Sequence, residues 1–161
     1  MRILAIDAGS TESGYALIEM PDFRLITFGK VENDVLIDML YEIPYKVDAV
    51  ALEMVASYGM AVGKTVFETC VWIGRFEQAL RDNGYKDINY IYRKDEKITL
   101  CHSMKAKDSN IRQALIDRYA KHDFKNGKGT KNNQDVFYGV SKDVWAAIAV
   151  GVTYFETKRG D

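Results

Sequence analysis

The apolar positions of residues 3–18 fall into two runs separated by a polar turn that carries glycine. In the first run Ile3, Ala5 and Asp7 share one face of an extended strand and Leu4, Ile6 and Ala8 share the other. Both faces therefore predict burial, which places this strand at the centre of a sheet. Gly9 and Gly14 permit a tight connection into a second strand from Tyr15 to Ile18, a hairpin. After the Pro21-Asp22 turn, residues 23–31 predict a third strand, with Leu25, Thr27 and Gly29 alternating against Ile26 and Phe28. Asp34 is expected to cap a helix that runs to about Tyr41 and is ended by Pro44. Residues 47–53 repeat the logic of the first strand, an apolar run closing on the acid Glu53.

Residues 57–63 read as a loop, and Lys64 to Asp82 as a long helix that stops before Gly84. Val66, Phe67, Cys70, Val71, Trp72, Ile73, Phe76, Ala79 and Leu80 cover far more than one stripe of that helix. The surplus fits either a homodimer seam or a fully internal helix. Ile88 to Tyr92 predicts a fifth strand, and the basic stretch 93–97 leads through a loop to 104–108, where a helix carrying Ile111, Leu115, Ile116 and Tyr119 begins. Residues 125–133 have the makeup of a mobile, basic loop. Ser141 is expected to cap a last helix through Val144, Ala147, Ile148 and Val152. The order predicts an α/β fold with a five-stranded mixed sheet, three antiparallel strands first, flanked by helices. Residues 1–161 show no linker or internal repeat and are expected to form a single domain.

Composition narrows the class. A chain of 161 residues, 47% hydrophobic, is long enough to bury a core without disulfides or structural metal. The formal charge of -1 gives no global sign of nucleic-acid binding, yet residues 86–131 hold twelve Lys or Arg against six Asp or Glu, leaving the remainder at -7. A basic block beside an acidic remainder suits a protein that grips phosphate in one place and metal in another, although a solvated surface has the same composition. Cys70 and Cys101 show no zinc spacing, and His102 and His122 no ligand pattern. With no signal peptide or membrane-length apolar run, a soluble cytoplasmic protein is expected.

Asp7 is the chemical anomaly of the first strand, because a buried carboxylate needs a partner. It fits a buried Asp held by turn amides, a phosphate-binding hairpin like that of the hexokinase and actin ATPase superfamily, or a metal-ligating Asp of a nuclease. Glu53 ends its strand as Asp7 does, so neighbouring strands would bring both acids to one sheet edge. Asp143 opens the last helix and shares a face with Ala146, Ala147 and Val150, small enough to let that helix approach the sheet. Three hard-oxygen donors suit Mg2+ or Mn2+, and two such ions would serve phosphodiester hydrolysis. The alternative for Glu53 and Asp143 is an exposed strand end and a helix N-terminal acid.

The residues Ile6-Asp7-Ala8-Gly9-Ser10 with Gly14-Tyr15, then Ala51-Leu52-Glu53, then 143–150, stand in the order of a known family. Over nearly the whole chain the sequence resembles RuvC-type Holliday junction resolvases of the ribonuclease H-like superfamily, especially the compact phage versions. The resemblance implies catalytic and metal-binding roles for Asp7, Glu53 and Asp143. It also implies a homodimer through the helix following the second acid, here about 64–82, acting on branched DNA in the cytoplasm, the host's if phage-encoded. Basic residues at DNA-contacting positions are expected at Arg93, Lys94, Lys105 and Lys107, the last two at a helix start. Two features depart from the family. Its cellular members carry a second ligand three residues on in the last helix, where this chain has Ala146; Asp135 is the candidate fourth acid and Lys142 a candidate electrostatic helper. Those members also place an aromatic wedge after the second acid, where this chain reads Met54-Val55-Ala56, leaving Tyr58 to stack on a base.

Two nucleotide-binding rivals fail on spacing and length. A P-loop ending in Gly63-Lys64-Thr65 needs glycine at the position of Tyr58, and an actin-like ATPase needs two domains. The expected activity is a metal-dependent, structure-selective endonuclease that nicks four-way junctions or forks. Its rivals are a non-cleaving branched nucleic-acid binding module and an RNA-processing nuclease of the same fold.

Overall fold

The computed structural model describes residues 1–159. Their elements run β1 (Arg2–Asp7), β2 (Glu12–Glu19), β3 (Arg24–Glu32), α1 (Asn33–Tyr41), β4 (Ala49–Met54), α2 (Lys64–Asp82) and β5 (Ile88–Tyr92). Then follow α3 (Arg93–Cys101), α4 (Asp108–Tyr119), the two-residue strands β6 (Gly129–Thr130) and β7 (Asn133–Gln134), and α5 (Lys142–Arg159). Five strands form one sheet in the order β3-β2-β1-β4-β5. The β1/β2 and β2/β3 pairs are antiparallel, whereas β1/β4 and β4/β5 are parallel. The central strand is the one that carries Asp7, as its two apolar faces require.

The alternation within the strands sorts the side chains into two cores. Ile3, Ala5, Ala49, Ala51 and Ile91 face α3, α4 and α5, packing with Leu100, Ile111, Leu115, Ala147 and Ile148. Leu4, Ile6, Val50 and Leu52 face α1 and α2, packing with Leu36, Leu40, Ile73, Phe76 and Leu80. Each such large side chain, removed from water, stabilises the fold by roughly 2 kcal/mol. α5 presses close to the sheet at Gly151, where a methyl group would come within 2.8 Å of Ile18 Cδ1 and 3.1 Å of Ala5 Cβ. Among the described residues no helix is long and apolar enough to cross a membrane.

Several expectations need correction. Asp34 does not cap α1; Glu32 occupies that position and Asp34 lies in the first turn. Asn33 anchors the helix start instead, its amide donating to the Thr11 carbonyl at 2.9 Å and its side chain to the Gly9 carbonyl at 2.9 Å. The segment after β5 is no loop but α3, whose start is held by Asp95 accepting the Tyr92 amide at 3.0 Å. No Ser, Thr, Asp or Asn stands at its N-cap position, so the usual start signal is missing. Residues 125–133 form a braced turn and short hairpin rather than a mobile loop. Asp123 accepts the amides of Asn126, Lys128 and Gly129 at 2.9 to 3.2 Å, and β6 pairs with β7.

Candidate active site

The register of the sheet sets the site. Asp7 pairs with Gly14 of β2, and Gly14 pairs with Lys30 of β3. On the other side Ile6 pairs with Leu52, so Asp7 and Glu53 leave their parallel strands at the same level; Glu53 pairs with Ile91, just before α3. Asp7 and Glu53 belong to the alternation that faces α5, the helix that brings Asp143. The approach of that helix depends on Gly14, because a Cβ there would strike the Asp143 carbonyl and stand 3.2 Å from the Asp143 Cβ. A short network fixes the hairpin tip: the Gly9 amide donates to Ser13 Oγ at 3.1 Å, and Ser13 donates to Asn33 Oδ1 at 2.6 Å.

Asp7, Glu53, Arg93, Asp108, Lys142 and Asp143 lie around one cavity of about 280 Å³, together with Arg112, Trp145 and Ala146. Asp7 and Glu53 act on each other's ionisation, as two crowded carboxylates must. Burial, then repulsion from Asp143, pushes Asp7 up to about 6; burial, then repulsion from Asp7, pushes Glu53 up to about 8. Their charges also reach Glu96 of α3, which is fully buried and is pushed up to about 9 by burial and then by Glu53. Asp143 is held by Lys30, with Nζ to Oδ2 at 2.7 Å. The Arg93 guanidinium pairs with Asp108 and stands 3.7 Å from Glu96, and it lowers the proton affinity of Asp7, Glu53 and Glu96.

Crowded, desolvated acids that retain protons above their ordinary range form the donor set that a hard divalent cation relieves. Among the described residues no three acidic, His or Cys side chains already surround one point as a bound metal would require. Asp143 is engaged by Lys30, and Asp7 and Glu53 are engaged with each other. The oxygen chemistry nonetheless fits Mg2+ or Mn2+ at Asp7, Glu53 and Asp143.

The structure brings together the three acids, Arg93 and Lys142. It separates Asp135, whose carboxylate accepts the amides of Lys121, His122, Asp123 and Val136 at 2.7 to 3.0 Å, away from the cavity. Burial opposes ionisation of Asp135, but these amides outweigh it and hold the carboxyl well below the usual range. Asp135 is thus a brace for the chain around 121–136 and not a neighbour of the acids. Lys94, Lys105 and Lys107 are exposed, the last two just before α4. Tyr58 is 62% exposed on the loop that follows β4. Sequence reasoning missed Glu96, Lys30 and Arg112. Only the pairing of Lys30 opposite Gly14 could have pointed to that lysine, and pairing is a tertiary fact.

No protein-family model matches the chain, and no curated protein matches its sequence. Its coordinates are similar to those of Thermus thermophilus RuvC in complex with a Holliday junction substrate, with a TM-score of 0.77 at 14% identity, covering 99% of this chain and 96% of that one. A second Thermus thermophilus RuvC structure gives a TM-score of 0.73, again at 14% identity and the same coverage of both chains. The chain therefore has the ribonuclease H-like fold of RuvC, the fold expected from the order of its strands and acids.

Proposed function

We propose that the chain is a metal-dependent endonuclease that binds branched DNA, four-way junctions and forks, and nicks it by phosphodiester hydrolysis. The observation that carries this reading is the meeting of Asp7, Glu53 and Asp143, from three separate elements, at one cavity of a fold like that of a protein solved with a Holliday junction substrate. A pure binding module would have no use for acids gathered where phosphate must approach.

In this reading Asp7, Glu53 and Asp143 hold Mg2+, with Mn2+ as substitute and two ions as the expected number. The chemistry supplied there is activation of a water and neutralisation of charge on the leaving oxygen. Asp7, Glu53 and Asp143 would hold the metal as ionised carboxylates, and Lys30, which pairs with Asp143 at 2.7 Å, holds that acid in its metal-free state. Arg112 and Lys142 line the cavity as cations positioned to hold the flanking phosphates, with Lys30 beside them at Asp143. Lys94, Lys105 and Lys107 extend that charge along α3 and towards α4, Arg93 stands with the acids on the cavity wall, and Tyr58 stacks on an exposed base.

Homodimerisation follows from α2. Ile73, Phe76, Ala79 and Leu80 bury one stripe, while Phe67 at 60% exposure and Val71 at 56% stand on another with Cys70 and Gly74. That spacing is an apolar helical face left uncovered by the described residues. Two copies joined there would present two sites to a symmetric junction.

The decisive experiment incubates purified protein with four-way junctions, forks, linear duplex and RNA hybrids in Mg2+, beside Asp7→Asn. Paired nicks on the junction, lost in the variant while junction binding persists, are expected. Cleavage unchanged by the variant refutes the mechanism, and binding without any cleavage by the wild type favours the module.

A further inference from the structure

Glu96 has no role in the site as described, and its surroundings are unfavourable for any other role. Its side chain is fully buried, and neither carboxyl oxygen has a hydrogen-bond partner among the described residues. The nearby cation, Arg93 Nη1 at 3.7 Å, lies beyond hydrogen-bond reach, and its guanidinium is shared with Asp108. A carboxyl group in such a place costs stability, and an apolar side chain of equal volume would pack without that cost.

The position of Glu96 supplies a reason. α3 leaves β5 directly, and β5 pairs with β4 at the level of Glu53, so the first turn of α3 runs beside the acid-bearing strand ends. The charges of Glu53 and Asp7 both act on the Glu96 carboxyl. On α5, by contrast, the position one turn beyond Asp143 is Ala146, which lines the cavity and offers no oxygen. Resting on the nuclease reading above, we propose that Glu96 is the fourth carboxylate of the divalent-metal site, contributed by α3. In that role the Glu96 oxygens would gain the partner they lack, a hard cation that the other three acids also require.

The test is isothermal titration of the full chain with Mn2+ alone, without DNA, comparing wild type, Glu96→Gln and Glu96→Asp, alongside metal-free melting curves. Glu96→Gln keeps the shape and removes the charge. It is expected to weaken Mn2+ binding by about 10- to 100-fold while leaving the metal-free melting temperature unchanged or higher. A wild-type affinity in Glu96→Gln overturns the assignment. Should that variant not fold, Glu96→Asp decides: it keeps the charge but withdraws it by one methylene, so weaker Mn2+ binding supports the proposal and unchanged binding overturns it. Junction cleavage by the wild type is scored separately. Cleavage with Mn2+ binding that ignores Glu96 refutes this assignment alone. Glu96-dependent binding without cleavage refutes the nuclease reading and leaves the ligand in place.

Discussion

Replacing Glu53 by Gln should stabilise the metal-free protein increasingly as pH rises above about 4.5, with the full gain reached above about 8. Burial and Asp7 raise the Glu53 carboxyl from its ordinary 4.5 to about 8. Because the folded state holds this proton more tightly than the unfolded chain, the associated stability is fully present below about pH 4.5 and is lost as pH climbs through about 8. A shift of that size has a ceiling near 5 kcal/mol, at about 1.4 kcal/mol per unit. Part of it belongs to the Asp7–Glu53 pair rather than to Glu53 alone, so about 2 kcal/mol is the gain expected from the neutral Gln at pH 8.5. For a chain of this length that is roughly 4 to 8 °C in melting temperature. The assay is thermal and urea unfolding in EDTA at pH 5 and pH 8.5, repeated with excess Mg2+ at pH 8.5. The wild type should gain stability from the metal and Glu53→Gln should gain little, so that the two curves approach or cross. No gain in EDTA at pH 8.5, or an equal gain at pH 5, would refute the argument that these acids are strained by burial and mutual repulsion.

Two other expectations concern parts of the molecule remote from the acids. Asp135→Asn removes a charged acceptor for four backbone amides and should destabilise the fold by about 2 kcal/mol or more, read as a lower urea midpoint. That penalty should shrink as pH falls below about 4, where the wild-type carboxylate begins to lose its advantage over the unfolded chain. Phe67→Glu places a charge on the exposed face of α2; sedimentation is expected to show the proposed wild-type dimer and a monomer for the variant, whose monomer fold should change in stability by less than about 0.5 kcal/mol. A wild type that sediments as monomer at micromolar concentration removes the interface.

The fold was legible because its signals are local. A strand buried on both faces must be central, so residues 3–7 located the middle of the sheet, and an apolar run closing on an acid marked β4 in the same way. The bounds of α2 and β5 follow from glycine and periodicity, and the sequence placed both correctly. α3 was missed because its N-cap position is Tyr92, and the cue is an Asp95 side chain reaching back to an amide. Asp135 was misassigned because an acid that binds a ring of amides and an acid that binds metal are the same letter in a sequence.

What the sequence determined by itself was the order of the five sheet strands with α1, α2, α4 and α5, and the three acids at the ends of their elements, since periodicity and the termini of elements are set by neighbours within a few residues. Tertiary structure alone decided who stands with those acids. Lys30 reaches Asp143 only because Gly14 lies opposite it and lacks a side chain, and the charge of Glu53 acts on Glu96 because β4 and β5 run parallel in register. Charges couple through space over a few ångströms, and the chain separates these partners by more than forty residues.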